Sequence, residues 1–363
     1  MRKYSILTFS KALSLAALLV LSATASAYQG EWLIFPNLTG QHLNKDTAGH
    51  PRDTLEPTAD IFFTASHERM RFLAEFNLVR GDSMLERLQA GWLVTPSTTL
   101  WLGRYHNPLS YWNTEFHHGN YLTTSISRPS IVSFEEHGGG VLPMHVSGLL
   151  LEEATDSPIN YSLSLGVGPT LGMMGLMPVD ILNPSENHGR LLVSGRLSYQ
   201  PMADSVDEYG IFAAHTTIPG DNLSMDIGMG VMRTITKVRQ TLVGAELNRD
   251  LGKLRLIGEL YVVNNRIESS LVTQSNTFTS AYLHADYSIH HKWTLFGRVE
   301  GTADSSGDSY LNLTPEFIKS RTLVGARYAM GHNRALKLEL SNNEYQDKTR
   351  NKQLAVEWSA VFP

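Results

Sequence analysis

The sequence has 363 residues and not one cysteine. Disulfides, thiol nucleophiles, thiolate metal sites and thiol redox motifs are therefore excluded, and the fold must be held by backbone pairing and packing. Long apolar runs are missing as well. No stretch reaches the roughly 18 consecutive apolar residues that mark a membrane-spanning helix. A helical period of 3.6 residues does not persist anywhere. Charge is sparse, at 18% of residues, and its balance is acidic, with a formal net charge of -5. That sign argues against nucleic acid as a partner. Hydrophobic residues make up 42% of the chain, below the about 45–50% usual for soluble domains. This is little for a chain that meets lipid at every position, but enough for one that does so at every second position.

The first residues stand apart. Arg2 and Lys3 precede an apolar run from Ala12 to Leu21, which is followed by Ala25-Ser26-Ala27. Basic start, apolar middle and A-x-A end read as a secretory signal peptide over 1–27, with cleavage expected after Ala27. Removing it takes away Arg2, Lys3 and Lys11 and no acid, so residues 28–363 are more acidic still. They show no linker and no low-complexity tract, and read as one domain.

Apolar and polar residues alternate over about ten positions in many segments, which is the period of a strand with one wet face. Leu254, Leu256, Leu260 and Val262 oppose Arg255, Glu259 and Tyr261. Leu336, Leu338 and Leu340 oppose Lys337 and Glu339, and Leu354, Val356, Trp358, Ala360 and Phe362 oppose Gln353, Glu357 and Ser359. About ten residues is the length a tilted strand needs to cross a bilayer. Trp92, Trp101, Tyr199, Tyr328 and Trp358 lie near strand ends, where interfacial girdles form. Short turns such as His290-His291 contrast with long polar connections such as 302–316. The expectation is an all-β fold, a transmembrane antiparallel β-barrel of about 16 strands with a long lumenal constriction segment. Seventeen segments alternate, among them 207–217, 222–233 and 240–249. An odd number does not suit a barrel of this kind: either a strand hides in 105–143 or 169–188, or one of the middle segments is not a strand, and 104–145 is the favoured place for the error. Counting back from the C terminus places the long connections 105–143 and 169–188 on the periplasmic side.

The stretch 104–145 breaks the alternation and is too long for an idle loop. It holds Arg104, Tyr105, His106, Tyr111, Trp112, Glu115, His117, His118, Arg128, Glu135, Glu136, His137 and His145. Folded into a lumen, its aromatics would pack on the wall and its charges would line a constriction. Imidazole and carboxylate ligands could come from His117-His118 with Glu115, or from Glu135-Glu136-His137. Neither matches a metalloprotease helix, and adjacent histidines on a strand point to opposite faces. Plug residues that hydrogen-bond are therefore favoured, and neither a metal nor a cofactor is expected. Lumen-facing charges from the alternation include Arg71, Glu75, Arg196, Arg255, Glu259, Arg298, Glu300 and Arg327.

The motifs Leu102-Gly103-Arg104-Tyr105-His106-Asn107-Pro108, Tyr111-Trp112-Asn113-Thr114, His117-His118-Gly119 and Gly139-Gly140-Val141-Leu142-Pro143 resemble a porin-like family of outer-membrane β-barrels, broadly akin to the phosphate-selective porins. The motifs cover about 45 residues; elsewhere the likeness is one of alternating strands. The resemblance implies a passive or weakly selective pore in the outer membrane of a Gram-negative bacterium, commonly a homotrimer. Barrels of that class usually end on an aromatic residue, whereas here Phe362 is followed by Pro363. Inward cations slightly outnumber inward anions, so small polar or anionic solutes are the expected cargo, with outer-membrane lipid as the other partner. Two further readings compete. One is a plugged barrel that binds, adheres or acts structurally through loops such as 169–188. The other is an outer-membrane lipid hydrolase, for which neither a G-x-S-x-G elbow nor a singled-out Ser–His pair is present. The expectation is no enzyme.

Overall fold

A computed structural model describes residues 29–45, 51–80, 82–117, 119–135, 139–153, 158–172, 175–181, 188–202, 205–226, 232–270 and 272–363. The expected signal peptide lies outside these residues, as do His118, Glu136 and His137. Sixteen antiparallel strands close into one barrel. They are β1 (Gln29–Leu43), β2 (Asp53–His67), β3 (Met70–Val79), β4 (Asp82–Leu93), β5 (Thr98–His106), β6 (His145–Glu153), β7 (Ile159–Val167), β10 (Leu191–Tyr199), β11 (Glu208–Asp226), β12 (Met232–Asp250), β13 (Leu254–Ser269), β14 (Thr273–His290), β15 (Trp293–Ala303), β16 (Ile318–Ala329), β17 (Arg334–Tyr345) and β18 (Arg350–Ala360). The short β8 (Thr170–Gly172) and β9 (Gly175–Met177) form a separate hairpin between β7 and β10. The seam joins β1 to β18, with Asn37 opposite Ser359, and mutual backbone bonds between Ile34 and Phe362 extend it. Closure leaves no strand edge unpaired, the condition for a sheet that faces hydrocarbon.

The alternation in the sequence becomes the two faces of this wall. On β13, Leu260 and Val262 are exposed while Glu259, Tyr261 and Val263 are buried; on β17, Leu336, Leu338 and Leu340 are exposed while Lys337 and Glu339 are buried. The barrel is thus apolar outside and polar or mixed inside, the reverse of a soluble core. The outward aromatics Trp32, Trp92, Tyr199, Tyr209, Tyr287 and Trp293 stand at the end of the barrel that carries the chain termini. There the Trp293 and Tyr328 rings lie 4.7 Å apart. Trp101 departs from this expected girdle. It points inward, and its indole N–H donates to Glu152 at 3.2 Å.

Two expectations about topology need correction. The alternating run 222–233 is not a strand of its own. Its first part completes β11 and its end opens β12, each 19 residues long. The period is real there, but a strand and its continuation share the same period, so alternation alone cannot show where a turn falls. Of the two sources of the odd number, the false middle segment, 222–233, is the one found, and 104–145 is not where the error lay. Losing one strand also reverses the sidedness. The long connections 44–52, 107–144, 168–190 and 304–317 all lie at the end opposite the termini. The termini end has only short connections, none longer than 200–207.

Candidate functional site in the barrel lumen

The segment 107–144 leaves the wall between β5 and β6 and crosses the lumen. Its feet are tied together. The backbone N–H of Asn107 donates to Met144 O at 2.7 Å, and the Asn107 amide donates to Pro143 O at 2.8 Å. Just before it, Gly103 has φ 139°, and a Cβ there would lie 2.0 Å from the carbonyl oxygen of Leu88. Only glycine allows β4 and β5 to approach so closely at this point. Within the segment, Ser110 caps a single helical turn, α1 (Tyr111–Glu115).

The segment touches the wall on nearly every side. Towards β11–β14 the contact is apolar. Leu109, Trp112, Ile131, Val132, Val141, Leu142 and Met144 are buried in one cluster with Phe212, Leu242, Ile257, Tyr261, Phe278 and Tyr282. Leu171 and Leu176 of the β8–β9 hairpin join it, as do Tyr310, Leu311, Leu313 and Phe317 of the connection 304–317. In this hairpin Leu171 and Leu176 thus face inward, while Met177 is exposed. Towards β15–β18 and β2 the contact is charged. Glu300 accepts from the backbone N–H of Ser130 at 2.6 Å, Glu339 from that of Ile126 at 2.9 Å, and Asp60 from that of Gly119 at 3.0 Å. Arg298 donates to Ser127 O, Arg321 to Arg128 O, and Lys337 to the carbonyls of Asn120 and Ser125. A segment without regular structure carries many unpaired backbone groups, and buried ones need partners. The charged side chains of the wall supply them.

The expected site residues fall into three groups. Those in the feet and the helical turn are largely buried. Arg104 donates to Val179 O at 2.9 Å and lies 3.6 Å from Glu86. Tyr105 packs into the wall, its hydroxyl on Leu149 O. Tyr111 accepts from Asn248 and Arg255, and the Trp112 backbone N–H donates to Glu259, which also takes the Tyr261 hydroxyl. His106 and His117 stack with ring centres 3.7 Å apart. Arg128 donates to His117 O and covers the Phe134 ring at 3.9 Å, while Glu135 accepts from Met144 N–H and His145. Among the wall charges, Glu75 pairs with Arg87, Arg196 with Glu246 and Glu208, and Arg298 with Glu300. Arg327 donates to Tyr121 O. Arg71 shares the inward face, but its guanidinium is spent on the carbonyls of Glu68 and Met70 in the β2–β3 turn. Glu115 is different, for it lines open space.

That space is divided by the segment. Towards the termini end lies a cavity of about 500 Å³ lined by Tyr111, Glu115, Glu152, Glu153, Arg196 and Glu208, among others. Towards the opposite end lie two smaller ones. One, about 220 Å³, is bordered by Glu56, Asp60, Glu86 and Glu357, and the other, about 270 Å³, by Arg128, Glu316 and Arg321. Burial, with the neighbouring carboxylates Glu208, Glu152 and Glu246, raises the Glu115 pKa above its ordinary value, and Arg196 offsets only part of this. Asp60 and Glu86 did not emerge from the alternation. Glu86 is hidden from it by a bulge: Glu75 pairs with Arg87 and Phe76 with Leu85, so Glu86 is the extra residue and faces in beside Arg87.

Solved structures with the same architecture include outer-membrane porins and channels. An anion-selective porin from Comamonas acidovorans superposes with a TM-score of 0.64 at 11% identity, over 92% of this chain and 100% of that one. The chain has the porin fold. The outer-membrane channel DcaP of Acinetobacter baumannii gives 0.60 at 10% identity, over 93% and 99% of the two chains. OmpF of Salmonella typhi, solved with daunomycin, gives 0.57 at 12% identity, over 93% and 98%. No protein-family model matches the sequence, and no curated protein does.

Proposed function

We propose that this porin-fold barrel is an outer-membrane channel through which small polar solutes diffuse passively, and that segment 107–144 narrows it. The observation that carries the reading is the set of cavities on either side of that segment inside a closed, externally apolar barrel. Export through a signal peptide cleaved after Ala27, insertion in outer-membrane lipid and assembly as a homotrimer complete the proposal. The expected constriction residues keep that role through Glu115 at the cavity surface, with Tyr111, Trp112 and Arg128 positioning the segment. His118, Glu136 and His137 remain part of the proposal only as members of the segment.

Two arguments bear on the sign of the preferred solute. The excess of inward cations along the strands favours anions. The lining of the open space favours cations: the larger cavity has Glu115, Glu152, Glu153 and Glu208 against Arg196 alone. The lining weighs more, because Arg298 and Lys337 are buried against carboxylates and segment carbonyls and are not presented to solvent, although Arg128 and Arg321 border one of the smaller cavities. A weak cation preference follows, in place of the anionic lean read from the strands. Planar-bilayer recordings across a salt gradient test both parts. Discrete channels with a weakly cation-selective reversal potential are the expected result. An anion-selective reversal would overturn the sign, and an absence of channels would favour the plugged, binding barrel.

A further inference from the structure

We propose that His106, His117 and His145 form a binding site for one divalent transition-metal ion of the zinc class. The three residues come from different places. His106 ends β5 and His145 begins β6, directly opposite each other in the ladder. His117 stands just beyond α1, inside the lumenal segment. A nitrogen from each lies within 4.8 Å of those of the other two. A tetrahedral ion with bonds of about 2.0–2.1 Å needs nitrogens about 3.4 Å apart, which requires the stacked His106 and His117 rings to turn towards a common point. The ligand set differs from the adjacent histidines that the sequence offers, and spacings of 11 and 28 residues conceal it.

Two features separate this cluster from histidines that only pack together. The first is the orientation of the rings. Nδ1 of His117 lies 2.5 Å from Asn113 Oδ1, and Nδ1 of His145 lies 2.7 Å from Glu135 Oε2. An oxygen acceptor on Nδ1 holds the proton there and leaves Nε2 as the ligand atom, the arrangement by which outer partners orient metal-bound histidines. The second is the company of Nε2. Glu86 Oε2 lies 3.0 Å from His145 Nε2, and Glu75 Oε2 lies 3.7 Å from His106 Nε2. Three imidazoles and a carboxylate suit zinc in both number and kind. The carboxylates Glu75, Glu86 and Glu135 gather in the same buried place, faced by the cations Arg87, Arg104 and Arg128. Because His106 and His145 stand at the two feet of the segment, the bound ion would clip its base shut.

The test uses the full folded barrel in detergent, its fold verified by heat-modifiable gel migration. After chelator treatment it is titrated with Zn²⁺ alone by calorimetry, and with Co²⁺ as a spectroscopic reporter of tetrahedral ligation. One equivalent is expected to bind. His117→Gln and His145→Gln should each weaken binding at least tenfold, and Asn113→Leu should weaken it about tenfold through ligand orientation. Replacing the exposed pair His290 and His291 with Gln should change nothing. No saturable binding, or binding that survives the triple His→Gln variant, overturns the site. If those variants fail to fold, X-ray absorption of the zinc-loaded wild-type barrel decides: scattering from three imidazoles supports the site, and its absence overturns it. Channel conductance recorded in chelator tests the pore reading separately, so either proposal can fail alone.

Discussion

The two halves of the lumen wall hold the same segment by opposite means. The β11–β14 half uses apolar side chains such as Phe212, Ile257 and Phe278. The half made by β15–β18 with β2 uses buried charges such as Arg298, Glu300, Lys337 and Asp60. The apolar half tolerates adjustment, because its contacts have no fixed direction and are lost in proportion to the surface removed. The charged half does not, because removing one partner strands another in a place that water cannot reach. The comparison teaches how a barrel with a polar interior can still order a long irregular segment: hydrophobic burial presses on one side, and ion–backbone hydrogen bonds fix the register on the other.

The strongest challenge to this contrast is Glu300→Ala. It leaves Arg298 and Arg321 without their shared carboxylate and frees the Ser130 N–H. The expected cost is about 3–5 kcal/mol, read as loss of protease protection in 119–135. Converting Arg298, Glu300 and Arg321 together to Met, Leu and Met strands no charge but leaves the Ser130 N–H and the Ser127 and Arg128 carbonyls without these partners, so it should cost less than the sum of the three single substitutions; a loss equal to that sum would show that the charges act singly and not as a set. On the apolar side, Phe317→Ala should cost about 3–4 kcal/mol through the cavity it opens. The effect should appear as a lower midpoint of urea unfolding in lipid vesicles. Leu338→Arg places a cation on the outward face and should destabilise by about 2–4 kcal/mol if that position is near the bilayer midplane. A neutral outcome in the same vesicle assay would mean that the two faces of the wall have been exchanged.

The smallest effect concerns pH. The Glu115 pKa is raised, so its charge is fully present only above that raised value and is lost as pH falls through it. Cation preference should therefore weaken in mild acid, and Glu115→Gln should remove part of that dependence. A pH profile unchanged by the substitution would place Glu115 away from the solute path.

Much of the wall was legible because lipid on one side and water or protein on the other force a period of two. Leu336, Leu338 and Leu340 against Lys337 and Glu339 announce their faces directly. Turn positions were less legible. β11 and β12 run long and keep their alternation, so 222–233 imitates a strand. The lumenal segment announced itself by breaking the pattern, but its partners could not be read from it. Asp60, Glu86 and Glu339 meet it only after the barrel closes, and the bulge at Glu86 reverses a face that the alternation assigns otherwise. The charges of the wall were legible as inward but not as occupied. What Arg298 and Lys337 bond to depends on where Ser127 and Asn120 come to rest.

The most direct test of segment 107–144 as the narrowing element is single-channel conductance with and without it. Residues 109–142 are replaced by a short Gly/Ser linker between Pro108 and Pro143, and folding is verified by heat-modifiable migration. The account predicts a several-fold larger unit conductance and weaker ion selectivity than the wild type. An unchanged unit conductance in a correctly folded barrel would contradict it.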